Sequence, residues 1–258
     1  MILLDGKALA EKKINALKLK IEDCKLKINL DIILVGNDPS SIKYVELKQK
    51  KAAEVGIGGQ LFRFPTNTSV DDLQILFNSL NQNSNTTGFF IQLPIPGLSN
   101  PSTLLKQILS KKDADGLNPD SGINPAVVNG IISLLKNYQI SFDQKNVVII
   151  NDSDLIGQPL KKIFSQFTSN IVLLNRQNLD LTSYTLKADI LISATGVKNL
   201  VTADMVKDGV VAIDVGGGDI DFANVSRKSA YITPTFGGVG PLTVASLLEN
   251  TYTLATRK

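Results

Sequence analysis

The run Val147-Val148-Ile149-Ile150 constrains the fold more than any other stretch, because four consecutive β-branched apolar residues leave no polar face to offer to water. Such a run suits a parallel strand covered on both sides. The loop from Asp152 to Gln158 follows it, and the helix that carries the chain back is expected to begin near Pro159, since a proline costs nothing in a first turn. A strand, a glycine-containing turn and a helix N-terminus in that order form a cradle for a phosphate or a dinucleotide. The loop has one glycine, Gly157, and two acids, Asp152 and Asp154, so the same residues equally suit an ordinary strand-to-helix turn.

The rest of the chain repeats this alternation. Leu9, Ile14, Leu17, Ile21 and Cys24 recur at helical spacing and predict an amphipathic helix from about residue 7 to 27. Leu30 to Val35 reads as a buried strand, with Ser40 or Ser41 expected to cap the helix that runs to about Val55. Tyr44 and Lys48 lie four residues apart on that helix and so share a face. Strands are expected at Leu61 to Phe64 and at Gly88 to Leu93, where Pro94 and Pro96 stiffen the chain after Gln92. Three strand-helix alternations in the first 110 residues argue for a parallel α/β domain, with Gly36, Gln92 and Asp115 gathered at the carboxyl strand ends.

A linker helix is expected from Ala126 to Leu135. Beyond it, strands near 147–150, 171–174, 190–194 and 210–215 predict a second α/β domain. Gly196 and the run Gly216 to Gly218 stand at two of its strand ends, where glycine permits close backbone approach. The loop Phe236-Gly237-Gly238-Val239-Gly240-Pro241 leads into a last helix, expected to pack back on the first domain. The organisation predicted is therefore residues 1–135 with the return helix 242–258 as one domain, and 136–241 as the other.

Composition limits the chemistry. A net charge of +3 with lysines interleaved among acids gives no basic stripe for a nucleic acid. One cysteine excludes an internal disulfide, and the absence of histidine removes the commonest metal ligand and the usual general base. No metal is expected, and acid-base work falls to Lys, Asp, Glu or Tyr. No signal-like or membrane-spanning run appears, so a cytoplasmic location is expected.

Several segments in order carry a resemblance: DGKALA at 5–10, ILVGNDPSSIKYVELKQKKAAEVGI at 33–57, QLPIPG at 92–97, KDADGLNP at 112–119, IGQPL at 156–160, ADILISATG at 188–196, AIDVG at 212–216 and ITPTFGGVGPLTVASLLENT at 232–251. The chain resembles the bifunctional methylenetetrahydrofolate dehydrogenase/methenyltetrahydrofolate cyclohydrolase family over nearly its whole length. The resemblance implies an α/β fold of two domains, the second a Rossmann-like NAD(P)-binding domain, and a homodimer. It implies oxidation of 5,10-methylenetetrahydrofolate with NADP and hydrolysis of the methenyl product to 10-formyltetrahydrofolate, in one-carbon supply for purine biosynthesis. It puts the catalytic lysine on Lys48 and its tyrosine on Tyr44. Gln92 and Asp115 complete that set, with Asp115 on the pterin. Gly238 and Pro241 join these four as substrate-binding candidates. Cofactor-binding candidates are Asn151, Asp152, Ser153, Arg176, Thr195, Gly196 and Gly216.

The sequence departs from the family at the nucleotide end. The usual Gly-Arg-Ser is Asn151-Asp152-Ser153, which puts an acid where an arginine serves the 2′-phosphate of NADP. Arg176 stands where a serine is usual and can replace that contact. NAD, or a cyclohydrolase without redox activity, is the alternative expectation. The usual Val-Pro before the glycine loop is Thr235-Phe236, and the segment after Gly216 is shortened.

Overall fold

The structure is a computed structural model that describes residues 1–118, 120–175, 177–178 and 180–257. In chain order the elements are β1 (Ile2–Leu3), α1 (Gly6–Cys24), β2 (Leu30–Val35), α2 (Pro39–Glu54), β3 (Leu61–Phe64), α3 (Val70–Gln82), β4 (Gly88–Ile91), α4 (Ser102–Leu105) and α5 (Ala126–Asn137). They continue with β5 (Val147–Ile150), α6 (Gly157–Phe164), β6 (Ile171–Leu174), α7 (Thr182–Thr185), β7 (Ile190–Ser193), β8 (Val210–Asp214), α8 (Phe222–Val225), β9 (Ser229–Ile232) and α9 (Val239–Thr256), with a 3₁₀ turn at Ala203–Met205. Two compact units result: Lys12–Ala126 with Val244–Lys258, and Met1–Glu11 with Val127–Thr243.

The first of these is built on a parallel sheet in the order β3-β2-β4. Every residue of the central β2 is buried. That includes Asp31, whose carboxylate accepts from the Gln60 amide at 2.8 Å and the Thr86 hydroxyl at 2.6 Å, so its burial is compensated. Phe77 of α3 meets Phe89 of β4 edge to face at 5.3 Å. Asp38, not Ser40 or Ser41, caps α2: its carboxylate accepts from the Ser41 amide at 2.7 Å, and Pro39 fills the first turn. The end of α9 belongs to this unit through the Lys13–Glu249 ion pair at 2.8 Å and through Asn250, which donates to the Asn124 carbonyl at 3.2 Å. The return helix predicted from sequence is thus present, beginning three residues earlier than expected, at Val239.

The second unit holds a six-stranded parallel sheet in the order β1-β9-β8-β7-β5-β6. The chain order reverses between β5, paired with β6 on one side, and β7 on the other. That reversal is the switch point at which open α/β sheets bind ligands beyond their carboxyl strand ends. β1 is an addition that periodicity could not show, since a two-residue strand has no pattern; it pairs with β9, and the Leu4 amide donates to Ile232 at 2.8 Å.

The Phe77–Phe89 contact gives a direct stability test. Phe89 is fully buried, and Phe89→Ala should cost roughly 3–5 kcal/mol. The urea midpoint should fall accordingly.

Candidate active site

Lys48 is the centre of the first unit's chemistry. It projects from α2 with 2 % of its surface exposed, a burial that an ammonium group tolerates only with partners. Its Nζ donates to Gln92 Oε1 at 3.1 Å and lies 3.9 Å from Asp115 Oδ2. Two rings flank it: Tyr44, one turn earlier on the same helix, at 4.8 Å from Nζ to ring centroid, and Phe90 at 4.1 Å. Burial holds the Lys48 amine below the usual lysine range, opposed by the charge of Asp115. Burial likewise raises the Asp115 carboxyl, opposed by Lys48. The four residues that sequence assembled, Tyr44, Lys48, Gln92 and Asp115, are therefore brought together.

The backbone explains the placement. The Gln92 amide donates to the Ile33 carbonyl at 2.8 Å, which continues the ladder between β2 and β4. The Gln92 side-chain amide donates to the Leu93 carbonyl at 2.7 Å, which leaves Oε1 for the lysine. Asp115 sits in a loop drawn tight by Asp113, whose two carboxylate oxygens accept from the amides of Leu117 at 3.1 Å and Asn118 at 2.9 Å. At Gly116 φ is +68° and an added Cβ would lie 2.6 Å from Asn124 backbone atoms, so this turn needs glycine. Phe90 and Asp113 are the residues that sequence reasoning missed. Phe90 was open to detection, because it stands two residues before Gln92 and alternation puts both on one face.

The candidate nucleotide residues lie in the other unit. Asn151 ties the loop after β5: its Oδ1 accepts from the Ser153 amide at 3.0 Å, the Ser153 hydroxyl at 2.7 Å and the Gly157 amide at 3.2 Å. Its Nδ2 donates to the Ala194 carbonyl at 2.8 Å, across the switch point. An added Cβ on Gly157 would lie 2.0 Å from the Asn151 carbonyl oxygen, so α6 can begin this close to β5 only on glycine. Asn151, Asp152, Asn175, Gln177, Ala194 and Thr195 line a cavity of about 410 Å³. On its rim Asn175 donates to Asp152 Oδ2 at 3.0 Å. Arg176 lies outside the described residues.

A second cavity, of about 530 Å³, opens at the ends of β7 and β8, where Gly196, Gly216, Thr235 and Phe236 are among the lining residues. Asp219, 1 % exposed, organises its wall by accepting at one oxygen from the Ser193 hydroxyl at 2.7 Å, the Thr195 amide at 2.6 Å and the Thr195 hydroxyl at 2.9 Å. Gly216 has no room for a side chain, because its Cβ would lie 2.0 Å from the other Asp219 oxygen. The smaller cavity thus spans the strand reversal, lined from the ends of β5, β6 and β7, and the larger lies beyond β7 and β8; this arrangement fits a dinucleotide. Gly238 and Pro241 belong to this unit as well. Gly238 packs its carbonyl oxygen 1.8 Å from where a Cβ on Gly6 would lie, and Pro241 occupies the first turn of α9.

Comparison with known proteins agrees with both halves. A family described as tetrahydrofolate dehydrogenase/cyclohydrolase, catalytic domain, matches residues 4–115, and its NAD(P)-binding domain matches residues 125–258. The chain belongs to the tetrahydrofolate dehydrogenase/cyclohydrolase family. It is 40% identical to the bifunctional protein FolD of Campylobacter jejuni strain RM1221, over 100% of this chain and 99% of that protein. A crystal structure of the bifunctional FolD methylenetetrahydrofolate dehydrogenase/cyclohydrolase from Campylobacter jejuni superposes with a TM-score of 0.92 at 38% identity, covering 99% of this chain and 98% of that one. The Trypanosoma brucei enzyme, solved with NADP cofactor and an inhibitor, gives a TM-score of 0.93 at 28% identity, covering 100% of this chain and 98% of that one. Residues 127–243 of the second unit accordingly fall in the family's Rossmann-like NAD(P)-binding domain.

Asp113 supplies a pH test of the loop that carries Asp115. Burial raises its carboxyl from 3.8 to about 6, against the lowering effect of the Asn118 and Leu117 amides and Ser121. Between those values the unfolded chain has released a proton that the folded loop retains, so this group works increasingly against folding as pH rises from about 4 to about 6. The stability of the native protein relative to Asp113→Asn should fall across that window by up to about 3 kcal/mol, at 1.36 kcal/mol per pKa unit. Urea midpoints between pH 4 and 7 measure it; a pH-independent difference would contradict the assignment.

Proposed function

We propose that this chain oxidises 5,10-methylenetetrahydrofolate with NADP and hydrolyses the resulting 5,10-methenyltetrahydrofolate to 10-formyltetrahydrofolate. The observation that carries the reading is the buried Lys48 amine, held below its usual pKa between Gln92, Asp115 and two aromatic rings. The methenyl carbon is already cationic, so hydrolysis needs a positioned water and a base, not a covalent nucleophile. A neutral Lys48 amine accepts the proton as the water oxygen bonds to that carbon. The added hydroxyl then loses its proton as its oxygen becomes the formyl carbonyl, the carbon–N5 bond breaks with its electron pair on N5, N5 takes up a proton in exchange, and the formyl group stays on N10. Gln92 orients the amine without adding charge, Tyr44 lies along the aminobenzoyl part of the folate, and Asp115 binds the aminopyrimidine edge of the pterin. Among the described residues no group of His, Cys, Asp and Glu could hold a metal, and none of these steps asks for one.

For the redox half, NADP supplies the hydride acceptor. Asn151, Asp152, Ser153 and Arg176 would hold its adenosine half, Gly196 and Gly216, which line the larger cavity, would hold its nicotinamide half, and Thr195, which lines the smaller cavity, would contact the cofactor there. NAD is the second reading, favoured by the Asn175–Asp152 hydrogen bond on the adenosine cavity's rim, because a carboxylate there repels a 2′-phosphate and accepts from a free ribose hydroxyl. The reading goes with a cytoplasmic homodimer. Among the described residues no helix is long and apolar enough to cross a membrane.

Lys48→Arg tests the base. Arginine keeps the charge but cannot release its proton, so hydrolysis of preformed methenyltetrahydrofolate should fall at least about 100-fold. The native rate should rise with pH until the amine is fully neutral, an acid limb that methenyl absorbance follows directly. A variant with native turnover would sink the assignment.

The phosphate contact is tested separately. Arg176→Ala should raise the KM for NADP about tenfold or more and leave that for NAD unchanged, while Asp152→Ser should improve NADP. The opposite pattern, turnover with NAD alone in the native protein, would hand Asp152 to the ribose.

A further inference from the structure

We propose that Phe236 determines cofactor affinity by stacking against the nicotinamide ring, an inference that rests on the dinucleotide reading of the second unit. Phe236 is 86 % exposed, more than any other large hydrophobic residue among those described. A single exposed apolar residue ordinarily means nothing. Its position here does, because the ring lines the larger cavity, together with Gly196, Gly216, Gly217, Gly218 and Thr235.

The backbone on both sides of the ring is pinned. Upstream, the Thr233 hydroxyl accepts from the Asp214 amide at 2.7 Å and the Thr233 amide donates to the Ala212 carbonyl at 3.0 Å, fastening the segment to β8. Downstream, the Gly237 carbonyl accepts from the Lys7 amide at 2.8 Å. Phe236 is therefore a flat apolar face on a fixed root. The three consecutive glycines contribute backbone without bulk to the same cavity, and Lys198, Asn199 and Asp221 supply polar groups. An aromatic face, a floor without side chains and a few polar groups suit a planar heteroaromatic ring with a polar substituent. On the dinucleotide reading, the half held beyond β7 and β8 is the nicotinamide half. The resemblance puts a proline where this chain has Phe236. Exposed in the free protein, it gains contact and loses water when the pyridine ring arrives.

Titration of the full-length protein with NADPH and NADH, followed by nucleotide fluorescence, tests this, with ADP-ribose as a competitor that lacks nicotinamide. Phe236→Ala should weaken the preferred reduced dinucleotide about tenfold, the scale of one stacking contact with its buried area. Phe236→Tyr should stay within about twofold of native, and ADP-ribose should bind the native protein and both variants equally. The KM for methenyltetrahydrofolate in hydrolysis should not move. Equal dinucleotide affinity in native protein and Phe236→Ala overturns the proposal alone. A raised folate KM with unchanged dinucleotide affinity assigns the ring to the folate and overturns it too, as does an equal loss of ADP-ribose. If the native protein binds neither dinucleotide, the redox reading fails and this proposal fails with it.

Discussion

The chemistry of the first unit depends on taking one ammonium group out of water. Lys48 is nearly inaccessible, with a single carboxylate at 3.9 Å and a neutral amide oxygen at 3.1 Å. The carboxylate is too distant for a close hydrogen bond, and the amide brings no charge, so compensation is partial and the proton is held weakly. The rings of Tyr44 and Phe90 stabilise the cation through their faces yet also exclude water, which is what lowers the pKa. Burial lowers the amine's pKa by more than the charge of Asp115 raises it. Everything else in the unit keeps these groups from relaxing: the β2–β4 ladder fixes Gln92, and the Asp113 carboxylate clamps the turn that presents Asp115.

The second unit solves a different problem with the same device. Its carboxyl strand ends must leave room for a ligand, so they cannot be filled with apolar side chains. Carboxylates accepting backbone amides hold the loops instead. Asp214 accepts from Gly217 at 2.8 Å and Gly218 at 2.9 Å, while Asp219 gathers Ser193 and Thr195. Burial raises Asp214 in consequence, with the amides pulling the other way. Glycines stand where these carboxylates and carbonyls come too close for a Cβ, as at Gly157 and Gly216.

Legibility in the sequence followed the length of each pattern. The runs at Val147–Ile150 and Leu30–Val35 are long enough to be read as buried strands, and the four-residue spacing of Tyr44 and Lys48 is enough by itself to put both on one helix face. The two-residue β1 has no periodicity to read, and its partner β9 lies near the opposite end of the chain. The α2 cap went to Asp38 rather than a serine because the helix begins at Pro39, two residues earlier than a Ser40 cap implies. Asp113 was hidden for another reason. In an Asp-x-Asp-Gly loop the two acids are chemically alike, and only the fold decides which one faces inward to backbone amides and which one faces the lysine. The family resemblance implied a pterin contact for Asp115 and said nothing of the loop that presents it 3.9 Å from Lys48 Nζ.

On the proposed reading, the weakly held proton serves both reactions. Oxidation turns a neutral methylene bridge into a methenyl cation beside Lys48. A charged ammonium about 4 Å from that cation would cost on the order of 4 kcal/mol at an effective dielectric of 20, enough to oppose the oxidation that creates it. A lysine already inclined to neutrality avoids that repulsion. The same neutral amine is then in the protonation state required to accept a proton from water. The arriving cation lowers the lysine pKa further, so the product of the first step prepares the base for the second. Hydrolysis removes the cation, the repulsion vanishes, and the proton taken from water rests more stably on Lys48 with Asp115 as its counter-charge. A histidine in this position would be neutral near pH 7 without such burial, but would be a weaker base once the cation formed. A buried lysine has basicity in reserve, which is a physical reason for a chain without histidine to perform this hydrolysis.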